Sequence, residues 1–305
     1  MAKPAPLPAN RFVQDDFVAS VQDDDLVYFL CNVGDGDSQV VLLPALTLDD
    51  GTKRRRLLVV DAATTDKVPA LLKSIEATGL LGGANGSIVP GSIALTVASH
   101  PHLDHIGGMA QVLETYRGKI AEFWDPGYYH TIPAYSRMMA AVEKDRDLLY
   151  AQPTSGLRRW IDNVVITVLA PSIQLRNRFD SYGVELNDSS LSMRVEFPAS
   201  RVQQRDQERN YVKRRTQSLL LGADAQTLSW SYVFTDYPQL MPSESPAAKA
   251  LKMATGGDDL RANVLKVAHH ASKHGVNLEL IERIDPDVTL ISSVADAGSY
   301  NFPHT

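Results

Sequence analysis

A single cysteine, Cys31, stands in a chain of 305 residues. No disulfide can form within it, and a reducing compartment is expected. Long apolar runs are missing too, none reaching the roughly 18 residues that a membrane-spanning helix needs. Positive charge is in the minority, with 30 Lys and Arg against 36 Asp and Glu and a formal net charge of −6. That balance excludes a protein that grips nucleic acid over its whole surface, although not one with a local basic groove. The first ten residues, Met1 to Asn10, are rich in Pro and Ala and lack the apolar stretch of a signal peptide. A cytoplasmic location with no membrane partner is the expectation. Internal repeats, low-complexity tracts and clean domain boundaries are also lacking. The chain is read as an N-terminal arm, 1–25, and a single domain, 26–305, with loop insertions near 201–216 and 238–258.

What is present is a strand-rich first half followed by alternating elements. Apolar runs at 26–33 and 38–44 flank Gly34-Asp35-Gly36-Asp37, which is strong turn chemistry. A third run, Leu57 to Val60, follows the basic tip Lys53 to Arg56, expected to be a solvated hairpin end. Val68, Leu71, Leu72 and Ile75 then repeat at helical spacing, as do Met109, Val112, Leu113 and Tyr116. Between those helices, Ser92 to Ser99 reads as a buried strand. Phe123-Trp124 ends another strand in a turn, and a helix is expected from about Pro133 to Tyr150. Val164 to Ala170, Leu191 to Phe197 and Leu219 to Leu221 read as further strands. Residues 201–216 are expected to form an exposed hairpin, and the Pro- and Gly-bearing stretch 238–258 a loop or lid.

The strand 92–99 leads directly into His100-Pro101-His102-Leu103-Asp104-His105. Three imidazoles and a carboxylate in six residues are too dense for core or ordinary loop. They are the ligand set for a divalent ion such as zinc or manganese. In an extended segment, alternate residues face one way, so His100, His102 and Asp104 are expected to point together. One ion would then take the two histidines and a second the Asp104–His105 pair. Three more strand ends carry compatible groups: Asp61 after Leu57–Val60, Asp224 after Leu219–Leu221, and His269-His270 after the run from Asn263. An acid at one strand end is usually a turn or cap. Four such ends in one chain suit a sheet that delivers them to one rim. Asp224 is then placed to bridge two metals, His269 or His270 to complete the second site, and Asp61 to fix a ligand imidazole from behind.

This ordered set, Asp61, His100-x-His102-x-Asp104-His105, Gly222-Ala223-Asp224 and His269-His270-Ala271-Ser272, resembles the metallo-β-lactamase superfamily. Asn32 to Ser38, Asn187 to Leu191, Leu265 to His270 and Tyr300 to His304 look most like the soluble hydrolase domain of ComEC-type competence proteins. The likeness runs over about 26–304. It implies an α/β fold, a four-layer αββα sandwich of the metallo-β-lactamase kind, with the active site at one edge of the two sheets. This chain departs from the pattern in three places. No further histidine stands at Asn187 to Ser190, which leaves Asp188 or a water to fill in. Ala271 replaces a glycine after the His pair, and Phe302 replaces a histidine near the end.

The implied reaction uses two divalent ions, Zn²⁺ or Mn²⁺, that share a hydroxide for in-line attack on a phosphodiester. His100, His102, Asp104, His105, Asp224 and His270 would be the metal ligands. Asp104, Asp224 and His269 would carry catalysis, with His269 as proton donor and His274 or Lys273 as outside candidates. Lys266, Ser272, His274 and Asn187 would touch substrate, and Trp124, Tyr128, Tyr129 and His130 would line the cleft unless Trp124 is core. The expected function is a phosphodiesterase or nuclease acting on DNA, RNA or a nucleotide, with the basic loops at 53–56 and 201–215 holding a polyanion. The alternatives are a hydrolase of a smaller ester, lactone or thioester, and a non-catalytic metal-stabilised interaction module.

Overall fold

The computed structural model describes residues 14–82, 86–180, 183–197, 204–205, 211–212, 216–237, 260–294 and 302–304. The stretch 238–258 lies outside them. The first half of the chain builds one six-stranded sheet. Its members in chain order are β1 (Val27–Leu30), β2 (Ser38–Leu42), β5 (Leu57–Ala62), β6 (Ile93–Val97), β7 (Glu122–Trp124) and β8 (Leu149–Ala151), which is also their spatial order. A small antiparallel hairpin, β3 (Leu46–Thr47) with β4 (Lys53–Arg54), interrupts them. The second half builds the other six-stranded sheet from β9 (Arg158–Ile161), β10 (Val164–Ala170), β11 (Ser192–Phe197), β14 (Gln217–Leu221), β15 (Val264–Lys266) and β16 (Val288–Leu290). The expected hairpin within 201–216 is present as β12 (Gln204–Arg205) paired with β13 (Tyr211–Val212).

The period-2 alternation of apolar residues sets the layers. Val40, Leu42, Leu57 and Val59 turn outward and meet Val68, Leu72, Met109, Val112 and Met138 from three helices, α2 (Lys67–Thr78), α4 (Met109–Thr115) and α5 (Pro133–Glu143). Their neighbours Val41, Leu58 and Val60 turn inward and meet Ile166, Val168, Met193, Val195, Leu219 and Leu221 of the second sheet. Beyond that sheet, Leu220 and Leu265 face Trp230 and Val233 of α7 (Thr227–Asp236) and Leu280 and Ile284 of α8 (Leu278–Ile284). The result is the four-layer αββα sandwich. Of the two helical stripes read from the sequence, Val68, Leu72, Ile75, Met109, Val112, Leu113 and Tyr116 are buried and Leu71 is partly buried. Trp124 is fully buried between the sheets, not in a cleft.

Two expectations need correction, and the arm adds an element of its own. The helix from Pro133 ends at Glu143, and Leu149–Ala151 is instead an edge strand parallel to β7. The polar run after Glu143 turns the chain, with Asp145 accepting a hydrogen bond from the Gly118 N–H at 2.8 Å. The arm contains a short helix, α1 (Gln14–Ser20), whose Phe17 ring packs edge-on against Phe29 at 5.8 Å. The basic tip is a hairpin end solvated only in part, with Lys53 exposed and Arg55 buried. Lys53 pairs with Asp23, Arg55 is buried and donates to the carbonyls of Asp25 and Leu43, and Arg56 clasps both oxygens of Asp162. The Arg55 and Arg56 contacts join the tip to the body of the fold, while the Lys53–Asp23 pair stays exposed.

In both sheets the strands that run parallel end at the same rim. β5 and β6 are parallel in one, β14 and β15 in the other. The metal-box loop is pressed against the β5–α2 connection there. A Cβ on Gly108 would lie 2.0 Å from the Thr64 carbonyl oxygen, and one on Gly36 would lie 2.7 Å from that of Asp104. Gly108→Ala is therefore expected to cost roughly 1–3 kcal/mol, the range for overpacking. A urea titration would read this as a lowered midpoint, and an unchanged midpoint would show that the loop yields freely.

Candidate metal centre

Asp61 occupies the end of β5 with φ at 60°, in the left-handed region. Its Oδ1 accepts the Ser99 backbone N–H at 2.7 Å, and its Oδ2 accepts the Ser99 hydroxyl at 2.7 Å and His105 Nδ1 at 2.8 Å. That bond fixes the His105 ring and turns its Nε2 into the rim. His270 is fixed in the same manner, with Nδ1 donating to the Ser292 carbonyl at 2.7 Å. The side chains expected to face together do so only in part. The chain leaves the extended conformation at Leu103 and enters a helical turn, α3 (Leu103–Ile106). His100 and His102 stay together, Nε2 to Nδ1 at 3.0 Å, whereas Asp104 swings to His270.

Asp224 joins the two groups. Its Oδ2 lies 3.8 Å from His100 Nε2, and its Oδ1 lies 3.2 Å from His105 Nε2 and 3.6 Å from His270 Nε2. His270 Nε2 is in turn 3.7 Å from Asp104 Oδ2. Two sets of ligand atoms result, His100–His102–Asp224 and Asp104–His105–Asp224–His270, each gathered within 4.8 Å. His270, not His269, belongs to the second.

The donor set fits a cation on physical grounds. His105 Nε2, Asp224 Oδ1 and His270 Nε2 are buried without a hydrogen-bond partner. The 3.2 Å approach of the first two is not directed as a hydrogen bond. Three orphaned polar atoms at one point are costly, and a divalent ion would satisfy them together. Burial lowers the proton affinity of His100, His102 and His269, leaving neutral imidazoles. Burial alone would raise the Asp224 carboxyl, but His105, His100 and His270 outweigh it and hold the group well below the usual carboxylate range. Burial likewise pushes His105 down, yet Asp224 and Asp61 outweigh it and raise its proton affinity well above that of an ordinary imidazole.

The strand ends needed to build this site carry strain. Ala223, His269, His270 and Ala271 all have φ between 47° and 63°. The alanine after the His pair thus takes a backbone conformation that favours glycine. His269 stands beside the metal ligands, half-buried, with Nε2 at 3.4 Å from Asn187 Nδ2 and Nδ1 at 3.2 Å from Gln226 Nε2. The Phe302 ring packs against His269 and His270 at 5.4 and 5.7 Å between centroids.

A cavity of about 630 Å³ opens over the centre, walled by Val33, Asp35, Ala63, Thr64, Leu103, Asn187 and Phe302 as well as His102, Asp104, Asp224, His269 and His270. Asn187 is thus where substrate contact requires it. Three other expected contacts are not. Lys266 is fully buried and paired with Asp37, Ser272 is buried with its hydroxyl accepting the His274 N–H at 3.3 Å, and His274 is exposed away from the cavity. Lys273 is exposed as well. Asp188 does not fill in as a ligand, because its Oδ1 accepts the Ser229 N–H at the start of α7 at 3.0 Å. Tyr128 packs on Phe179 and Tyr129 on Tyr135, and His130 is not among the described cavity residues. Sequence reasoning missed Ser99, the Ser292 carbonyl and Gln226, whose types carry no ligand signal. It read Val33 as the end of an apolar run and Asp35 as turn chemistry, and did not place either at the cavity.

No protein-family model and no curated protein matches the chain. Similar solved structures are metallo-β-lactamase fold proteins. The Rm3 metallo-β-lactamase is 15% identical over 86% of this chain and 83% of its own, with a TM-score of 0.37. A long form RNase Z from yeast is 10% identical over 90% of this chain and 38% of its own, with a TM-score of 0.46. The metallo-β-lactamase fold protein YhfI from Bacillus subtilis is 11% identical over 90% and 84%, with a TM-score of 0.41.

Because His105 and His270 are both raised in proton affinity while ligation needs neutral rings, metal loading at neutral pH is expected to release about one proton or more. Calorimetry of Zn²⁺ binding in buffers of different ionisation enthalpy reads this directly. Heats that do not vary with buffer would show that the rings are already neutral.

Proposed function

We propose that the protein is a metal-dependent hydrolase that holds two divalent ions, zinc or manganese, and cleaves a phosphodiester. One observation carries the reading: Asp224 turns its two oxygens to two separate ligand sets, one of them built on buried atoms that have no hydrogen-bond partner. His100, His102 and Asp224 would hold one ion, and Asp104, His105, Asp224 and His270 the other. Bound ions of this kind lower the pKa of water to about 7 and stabilise charge on phosphoryl oxygens. The motif resemblance to the competence-type hydrolases supports phosphodiester chemistry within this broader class.

The remaining residues orient. Asp104 has the more exposed carboxylate of the centre and faces the cavity, where it can direct a nucleophile as well as ligate. His269 is kept neutral by burial, so at neutral pH it serves as a hydrogen-bonding group for substrate and not as a charged acid. Asn187, 3.4 Å from it, extends that polar wall. Opposite lie Val33, Ala63, Leu103 and Phe302. Among the described residues lining the cavity there is no Lys or Arg, and Lys53 and Arg56 are paired with carboxylates elsewhere. A compact phosphodiester with an uncharged, apolar flank suits these walls better than DNA or RNA. The same absence favours a second reading, a hydrolase of an uncharged ester such as a lactone or thioester.

The test is elemental analysis joined to hydrolysis of bis-p-nitrophenyl phosphate by wild type, His102→Ala and Asp224→Ala. Two metals per chain and turnover are expected in the wild type. Each variant should lose about a thousandfold in kcat/KM, equivalent to roughly 4 kcal/mol of charge stabilisation. Metal with no phosphodiester turnover but with lactone or thioester cleavage would select the second reading. Metal with no turnover on any ester would favour an interaction module, and a chain without metal would overturn the proposal.

A further inference from the structure

Beneath the metal centre lies a buried ion pair that the reaction does not use. Asp37 at the entry to β2 and Lys266 at the end of β15 are both fully buried, and Lys266 Nζ donates to Asp37 Oδ2. The pair ties one sheet to the other. Asp37 is also bound into the metal-box loop: its N–H donates to the Asp104 carbonyl at 3.0 Å, and its carbonyl accepts the Ala63 N–H at 3.1 Å. Its second carboxylate oxygen, Oδ1, is buried with no hydrogen-bond partner.

Asp37, Asp61 and His105 bring ligand atoms within 4.8 Å of one another, a third set that shares His105 with the Asp104–Asp224–His270 set. A cation seated there would compete for His105, whose Nδ1 is committed to Asp61. What distinguishes this set from the other two is the ammonium on Asp37. An unpaired buried carboxylate attracts a cation strongly, whereas one already neutralised offers little to a second positive charge placed beside the first.

We infer that Lys266 is a positioning residue for the metal centre: by neutralising Asp37 it disables the Asp37–Asp61–His105 set as a cation site and reserves His105 for the ion held by Asp104, Asp224 and His270. This rests on the metal reading of the site given above. It also explains why a lysine that never reaches the cavity stands in the strand that delivers the His pair. An apolar residue would fill the space but leave Asp37 open.

The experiment measures Zn²⁺ stoichiometry and affinity by chelator competition, with kcat and KM for bis-p-nitrophenyl phosphate and thermal midpoints alongside. Three full-length variants are compared: Lys266→Met, Asp37→Asn, and the two combined. Lys266→Met is expected to take up a third equivalent of Zn²⁺ and to lose at least about tenfold in kcat with KM little changed. Asp37→Asn removes the competing carboxylate but leaves the ammonium uncompensated. It should keep two equivalents, with the weaker one loosened about tenfold. The double variant should return to two equivalents, and both its affinity and its kcat should come within about threefold of wild type. A purely structural tie gives a different pattern, in which thermal midpoints fall while stoichiometry stays at two and the double variant stays as impaired as the singles. That pattern would overturn the inference. Should Lys266→Met fail to fold, Asp37→Asn and the double variant decide, and unaltered Zn²⁺ affinity in Asp37→Asn would overturn it. A wild type that binds no Zn²⁺ would sink the metal reading itself, whereas two equivalents in every protein would sink only the role of Lys266.

Discussion

Asp224 is an almost wholly buried carboxylate at the floor of the cavity, approached by four imidazoles, those of His100, His105, His269 and His270. The rest of the centre depends on that arrangement. A buried negative charge is costly unless compensated, and here the compensation comes from both sheets at once. Asp61 and the Ser292 carbonyl hold His105 and His270 from behind, so their free nitrogens converge on one oxygen of Asp224 while His100 approaches the other. The asymmetry between those two oxygens is what makes the site divisible into two.

Placing Asp224 and the His pair correctly bends the backbone. Ala223, His269, His270 and Ala271 lie in the left-handed region. Such residues persist only where surrounding contacts over-determine them. Those contacts are visible: the His269 N–H donates to the Ala223 carbonyl at 2.8 Å, and the Gly222 N–H donates to the Lys266 carbonyl at 3.1 Å. The two strained turns brace each other. Ala271 stands where the resembling group has glycine. It is a non-glycine residue held in a glycine-like conformation by its neighbours.

Much of this was legible in the sequence. The alternation through Val40–Leu43 and Leu57–Val60 defines two-faced strands, and the stripes beginning at Val68 and Met109 define the helices that cover them. The box at 100–105 and the later Asp224 and His270 carry their chemistry in their residue types. What was hidden depends on tertiary partners. Nothing local says that Lys266 is buried on Asp37, a position 229 residues earlier in the chain. Nor does anything local say that Arg56 is spent on Asp162, or that Asp188 anchors α7. The break at Leu103 was hidden for another reason. Period-2 reasoning holds only while the chain stays extended, and Gly107 and Gly108 allow a helical turn to close against the Ala63–Thr65 backbone. The early end of the helix at Glu143 depends on a distant partner too, because Asp145 turns the chain by accepting the Gly118 N–H and Leu149–Ala151 then pairs with β7.

The division of labour between the halves of the chain has a consequence for cooperativity. One sheet is drawn wholly from residues before 152 and the other wholly from residues after 157, and each contributes an incomplete set of ligands. An ion gripped by His105 and His270 together closes a loop through most of the chain, as a removable crosslink would. Ligand occupancy and the docking of one sheet on the other then become a single linked equilibrium. A cell short of the ion would hold a protein whose two halves are less firmly joined, and not simply an idle one.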